Sequence, residues 1–310
     1  MAGTLMLYLI TVFIWGSTWL GIKFQLGAVD PLASVVYRFA LAAALLMLYC
    51  ILARKPMRFS ATQHGFMALQ GACLFALNYW LFYVAELYLT SGVVAVTFST
   101  MVFWNILMGR WLLGTPLQPR VLAGASLGIV GIGLVFWPEL TALNLGDTGF
   151  RGLLLSLAAT LLASLGNILS ARNQKNGLPV IQTNAFGMTY GALIMLGVAL
   201  MLEIPFDFDA RPAYVVSLLY LAVFGSIIAF GAYLTLLGKI GADKAAYATL
   251  LFPVVALALS TIWEDYVWTP VALVGVCLII VGNRIALRRT SPRRSSTVSV
   301  LSRRSWTGLR

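Results

Sequence analysis

Long apolar runs alternate with short polar connections along the chain, and ten of the runs approach twenty residues: 4–22, 31–52, 64–85, 91–113, 119–137, 152–171, 180–202, 213–237, 245–263 and 269–287. A helix needs about 20 apolar residues to cross the hydrocarbon of a bilayer, so each window predicts one spanning helix. The connections hold turn formers and charges, as in "GAVDP", "ARKPMRFS", "GTPLQP", "NQKNGLP" and "PFDFDARP". Because the runs are continuous rather than alternating, a closed β-barrel is excluded. The first run lacks a basic stretch ahead of it and continues through Trp15 and Trp19 towards Lys23, so a retained span is expected rather than a cleaved leader.

Composition agrees with this pattern. Of the 310 residues, 60% are hydrophobic and 10% charged, against about a quarter charged in ordinary soluble domains. A net charge of +11 would suit a nucleic-acid partner, but the positions of the charges argue for a lipid bilayer instead. Seventeen of the 21 Lys and Arg fall in the connections after the even-numbered spans or in the C-terminal tail. Only Lys23, Arg151 and Arg211 occupy the opposite side, together with most of the acidic residues. Basic loops stay in the cytoplasm, which predicts a bacterial inner-membrane protein with both termini inside. The segment 290–310 is polar, basic and aperiodic, and is expected to be a disordered cytoplasmic tail.

Sliding the chain on itself by 151 residues aligns Pro119 with Pro270, Gly124 with Gly275, and Gly131 with Gly282; earlier in each half Pro31 meets Pro179. The expected organisation is therefore two five-helix repeats, 1–140 and 141–289. An odd helix count makes the second copy enter from the opposite face. The fold class predicted is an all-α integral membrane protein, with ten helices in two inverted repeats around a central cavity. Inverted repeats suit alternating access, because the halves can exchange conformations.

Three stretches carry a family resemblance: "WGSTWLGIKF", "YRFALAA" and "GKIGADKAAYATLLFPVVALALSTIWEDYVWTPVALVGVCLIIVG". They resemble the EamA family of the drug/metabolite transporter superfamily and, within it, the YddG-type aromatic amino-acid exporters. The similarity runs over roughly residues 4 to 287. It implies ten helices around a cavity and export of small metabolites, with no substrate defined by motif. The first half departs from the pattern, with Val102 where Pro253 stands in the second half and Leu113-Gly114 in place of Glu264-Asp265.

Candidate site residues are the polar and aromatic groups that lipid would not tolerate. In "LNYWLFYVAELY" (77–88), Tyr79, Tyr83 and Glu86 share one helical stripe, flanked by Asn78. An aromatic belt at the interface accounts for Tyr88, but Asn78 and Tyr79 lie about 10–13 Å deeper. An amide facing lipid there would be unsatisfied, so Asn78, Tyr79 and Tyr83 are expected to line a substrate path. Phe98, Thr100, Trp104, Trp19, Ser164, Asn167 and Tyr247 complete the expected substrate-binding set. Arg38, inside span 2, and Glu86, near the outer rim, are candidates for coupling or gating. Pro253 joins them as a residue that breaks a helical hydrogen bond in mid-span and bares a carbonyl.

Other signals point away from chemistry. Cys50, Cys73 and Cys277 sit in apolar runs without a CxxC, and a single His64 cannot build a histidine metal site, so no metal and no cofactor are expected. "GASLGIVGIG" reads as close helix packing rather than a nucleotide loop. No span holds an aspartate, a GxSxG or an HExxH, which disfavours an enzyme. The expectation is a monomeric secondary transporter for aromatic or large neutral amino acids, with a proton as the candidate coupling ion. The alternative is another substrate class of the same superfamily: nucleoside, sugar-phosphate, lipid or drug-like cation.

Overall fold

The computed structural model describes residues 2–27, 29–89, 91–142, 147–263 and 268–287, and every regular element among them is helical. The expected tail and the Glu264-Asp265 pair lie outside the described residues. Six helices are long and apolar enough to cross a membrane: Pro31–Leu52, Ala61–Ala85, Thr148–Lys175, Val180–Met201, Pro212–Ile240 and Pro270–Leu287. Gly3–Thr18 and Pro119–Val135 are shorter apolar helices.

In chain order the elements are α1 (Ala2–Lys23), α2 (Pro31–Leu52), α3 (Ala61–Ala72), α4 (Asn78–Ala85), α5 (Ser91–Ser99), α6 (Met101–Leu113), α7 (Pro119–Val135) and α8 (Trp137–Ala142). They continue as α9 (Asp147–Lys175), α10 (Val180–Met201), α11 (Pro212–Tyr220), α12 (Ala229–Ile240), α13 (Ala242–Ala245), α14 (Phe252–Trp263) and α15 (Pro270–Leu287). Prolines open α2, α7, α11 and α15, at the one helical position where the missing N–H is not needed. Asp30 caps α2 by accepting from the Leu32 N–H at 2.7 Å, and Ser60 and Gln63 cap α3 reciprocally. Gly114, at φ 66°, ends α6 in the left-handed conformation that glycine adopts at no steric cost.

Hydropathy alone predicts unbroken spans, and the structure interrupts four of them. A π-helical turn, Cys73–Leu77, separates α3 from α4, and a longer one, Leu221–Ile228, separates α11 from α12. Thr100 divides α5 from α6, and a 3₁₀ segment, Ala246–Leu250, stands before α14. These are changes of hydrogen-bond register, to which the apolar pattern is blind. Pro253 falls in the first turn of α14 as its second residue. There its missing N–H leaves no internal bond broken, so the break in this stretch belongs to the 3₁₀ segment instead.

The helices pack α15 along α7, α10 against α2 and α3, α9 against α3, α4 and α6, and α1 against α12 and α14. Glycine allows the closest of these approaches. A Cβ on Gly124 would stand 2.6 Å from the Gly282 carbonyl oxygen, and one on Gly131 would stand 2.6 Å from that of Gly275. The contact is reciprocal: a Cβ on Gly275 would meet the Gly131 carbonyl oxygen at 2.5 Å, and one on Gly282 that of Gly124 at 2.6 Å. The "GASLGIVGIG" stretch is therefore a packing surface. In lipid, such backbone proximity replaces the hydrophobic drive that packs helices in water. At the end of the bundle that holds the connection into α11, Arg211 clamps Asp209 at 2.7 Å and holds its carboxyl below the usual range. With the Arg211 side chain largely in solvent, the pair orders a turn and does little else.

Gly131→Val should lower stability by about 1–3 kcal/mol through overpacking, read as a lower unfolding temperature in detergent. Gly133→Val, on the same helix with nothing within 4 Å of its Cβ position, should change stability by less than about 0.5 kcal/mol.

Candidate functional site

One cavity lies inside the bundle, beside the π turn Cys73–Leu77. About 680 Å³ of space lies between its walls, the open mouth included. One wall comes from α1, with Trp15, Thr18 and Ile22; another from α2, with Arg38. The π turn Cys73–Leu77 and α4 supply Leu74, Asn78, Tyr79, Phe82 and Tyr83. Phe98, Met101, Ala163 and Asn167 close a third side, and Phe230, Tyr233 and Phe252 a fourth.

Aromatic rings build most of the wall and hold one another edge to face. Trp15 packs on Phe230 with centroids 4.8 Å apart and on Phe252 at 5.4 Å. Phe39, behind the wall, packs on Tyr79 at 4.9 Å, and Phe82 packs on Phe98 at 5.3 Å. Such pairs each contribute about 0.5–1.5 kcal/mol beyond their burial, which makes the apolar wall stiff.

The polar groups are few and placed by the irregular turns. Within Leu221–Ile228, the Ser226 hydroxyl donates to the Leu221 carbonyl five residues back, at 3.0 Å. The Gly225 carbonyl of the same turn accepts the Trp15 Nε1–H at 2.9 Å, and the Ser226 Oγ accepts Arg38 Nε–H at 3.0 Å. Arg38 is 1% exposed, and its guanidinium carbon lies 4.7 Å from the centre of the Tyr79 ring. Tyr83 donates its hydroxyl to the Gln25 Oε1 at 2.9 Å, tying α4 to the turn after α1.

Beneath the cavity lies an amide network. Asn167 donates to the Tyr233 hydroxyl at 3.0 Å, Ser164 donates to Asn105 Oδ1 at 2.7 Å, and Asn105 Nδ2 donates to the Ala242 carbonyl at 3.0 Å. Four elements (α6, α9, α12 and α13) are joined through these side chains. A second recess opens on the far side of Asn105, lined by Gly109, Gln174, Lys175 and Asp243 among others. Asn105 thus stands in the partition between the two spaces.

Of the residues singled out in the sequence, Asn78, Tyr79, Tyr83, Phe98, Asn167 and Arg38 line this one cavity. Ser164 lies below it in the amide network. Thr100 donates to the Thr97 carbonyl at 2.6 Å, in the break between α5 and α6, and Trp104 is half-buried away from the lining. Tyr247 is fully buried elsewhere, its hydroxyl donating to the Val121 carbonyl and its ring packing with α7 and α15. Glu86 sits at the C-cap of α4, outside the lining. The side chain of Trp19 is outside what the structure describes.

Sequence reasoning missed Phe230, Tyr233, Phe252 and Met101 as lining groups. Phe230 and Tyr233 stand three apart in an otherwise aliphatic helix, and that spacing was the available signal.

A bundle of apolar helices around an aromatic cavity with a few buried polar groups fits a membrane transporter. The sequence profile of the EamA-like transporter family matches residues 2–137 and 150–288, and the chain belongs to that family. It is 26% identical over 285 residues to a "Probable amino-acid metabolite efflux pump" of Escherichia coli (strain K12), covering 89% of this chain and 92% of that one. The protein of the same name from Salmonella typhimurium (strain LT2) is 27% identical, with 94% and 97% covered. An "Uncharacterized inner membrane transporter YedA" of Escherichia coli (strain K12) is 31% identical, over 80% of this chain and 78% of that one. A solved crystal structure superposes with a TM-score of 0.75 at 18% identity, covering 92% of this chain and 96% of the other. That likeness concerns the fold.

Asn105→Ala would strand the Ala242 carbonyl and the Ser164 hydroxyl together. A loss of about 1–3 kcal/mol is expected, measured by thermal unfolding in detergent. Thr100→Ala, which removes only a local bond, should cost about 1 kcal/mol or less.

Proposed function

We propose that this protein is a secondary transporter that exports small amphipathic metabolites, foremost aromatic or large neutral amino acids, by alternating access. The observation that carries the reading is the cavity: an aromatic wall, a small set of amides, and Arg38 as the one charged side chain that lines it among the described residues. A flat apolar group packs on such a wall, while its polar end finds donors and acceptors at one edge. Two relatives are named as probable amino-acid metabolite efflux pumps, which supports a substrate related to amino acids.

Alternating access is supported by signs of two-fold symmetry. The two π-helical turns begin at Cys73 and Leu221, 148 positions apart, the same offset that relates Pro31 to Pro179. The glycine contacts of α7 and α15 exchange under the 151-residue offset: Gly124 on Gly282 becomes Gly275 on Gly131. The family profile matches each half of the chain as well. We read the described helices as ten spans in two inverted repeats, the first within 1–140 and the second within 141–289. The bias of basic residues supports both termini lying on the cytoplasmic side of a bacterial inner membrane. In that orientation Lys175 and Asp243 mark the inner recess, and the Asn105 partition is the inner closure of the cavity.

A carrier of sugar phosphates would need several cations in the cavity, and the wall is aromatic instead. The test is counterflow into liposomes holding the purified protein, with a panel of labelled amino acids, nucleosides and sugar phosphates. Aromatic amino acids should exchange; if no amino acid on the panel does, the reading falls. Tyr79→Ala and Phe230→Ala should each reduce exchange roughly tenfold or more, from the packing area lost, with folding retained. Trp104→Ala should stay within about twofold of the wild type, because Trp104 is off the wall.

A further inference from the structure

Three polar atoms of the cavity's own residues are buried without a hydrogen-bond partner: Arg38 Nη1, Asn78 Oδ1 and Asn167 Oδ1. Such atoms are rare in folded proteins, and each asks for an explanation. The Arg38 case is the most demanding. Its Nε is held by Ser226 and its face by Tyr79, yet among the described residues it forms no ion pair. An ionised group in the membrane interior is costly to keep and marks a ligand or ion pathway. The local structure goes out of its way to hold this one. Gly225 leaves room for the guanidinium, since a Cβ there would stand 3.1 Å from Arg38 Nη2, and the π turn presents Ser226 to Nε.

The orphan atoms differ in sign. Arg38 offers a cationic donor, while Asn78 and Asn167 offer neutral acceptors. Asn167 Nδ2 is already directed at the Tyr233 hydroxyl, so its oxygen is what remains. One cationic donor and two carbonyl acceptors on one aromatic cavity are the complement of a carboxylate and an ammonium on a single small molecule. Resting on the transporter reading above, we infer that Arg38 binds the carboxylate of an α-amino acid zwitterion, with Asn78 and Asn167 accepting from its ammonium. A planar guanidinium suits a carboxylate through charge-assisted bonds, and amide oxygens suit an ammonium without adding net charge. The side chain of the substrate then lies against Trp15, Phe230 and Tyr79. Arg38 is in this account the specificity-determining residue that separates amino acids from their amines.

The test compares phenylalanine with phenethylamine, which lacks the carboxylate, and 3-phenylpropanoate, which lacks the ammonium, as competitors in phenylalanine counterflow. Wild-type protein should prefer phenylalanine to each by about tenfold or more, as expected for a lost charge-assisted bond. Arg38→Gln should erase the preference over phenethylamine and keep that over 3-phenylpropanoate. Asn78→Leu should do the reverse, and Arg38→Lys should restore part of the carboxylate preference. Equal competition by phenethylamine and phenylalanine in the wild type would overturn the inference, without need of any variant. So would an Arg38→Gln protein in which all three compounds weaken by the same factor, the mark of a structural role. If amino acids exchange but this preference is missing, the Arg38 assignment fails alone; if no amino acid exchanges, the transporter reading fails with it.

Discussion

A polar atom inside a lipid-embedded bundle has no water to turn to, and much of this molecule follows from how such atoms find partners. Backbone groups solve the problem by forming helices, which is why every described element is helical. Where the helical register slips, freed groups are taken up by side chains. The Gly225 carbonyl receives Trp15, and Ser226 bonds both Leu221 and Arg38. The π turn is thus where α1, α2 and α12 are tied together, beside the cavity.

The same constraint separates the structural polar residues from those left open. Asn105, Ser164 and the amide nitrogen of Asn167 satisfy one another and join four elements under the cavity. Tyr83 and Gln25 join the chain at the other end of α4. Above the floor, Arg38, Asn78 and the Asn167 oxygen retain unpaired atoms. A fully satisfied network stiffens a bundle, and the inferred substrate contacts fall on the atoms left outside it. The rigid wall and the open polar edge are two outcomes of one accounting.

Membership in a transporter family and the apolar helices were legible from the chain, because lipid forces a signature that lasts for about 20 residues at a time. The stripe of Asn78, Tyr79 and Tyr83 was legible for the same reason, since amides and phenols in the middle of an apolar run must face something other than lipid. Trp104 and Tyr247 look equally suitable in the sequence, yet one is half-buried off the wall and the other packs against α7. Helical spacing tells which residues share a face, but not which neighbour that face meets. Phe230 and Tyr233 show the converse: three residues apart in an aliphatic helix, they become cavity residues because α12 packs on α1.

The sequence by itself determined the solvent, the helical class, the packing role of the "GASLGIVGIG" stretch, and the family, for these rest on local composition and short-range period. Only the tertiary structure decided where the register breaks and which polar atoms pair across helices. Hydropathy cannot register a π turn at Leu221–Ile228, because the apolar residues of that turn read the same in any helical register. Nor can it assign Arg38 a partner, because Ser226, Tyr79 and the unpaired Nη1 become its surroundings only once α2, α4 and the turn before α12 are brought together.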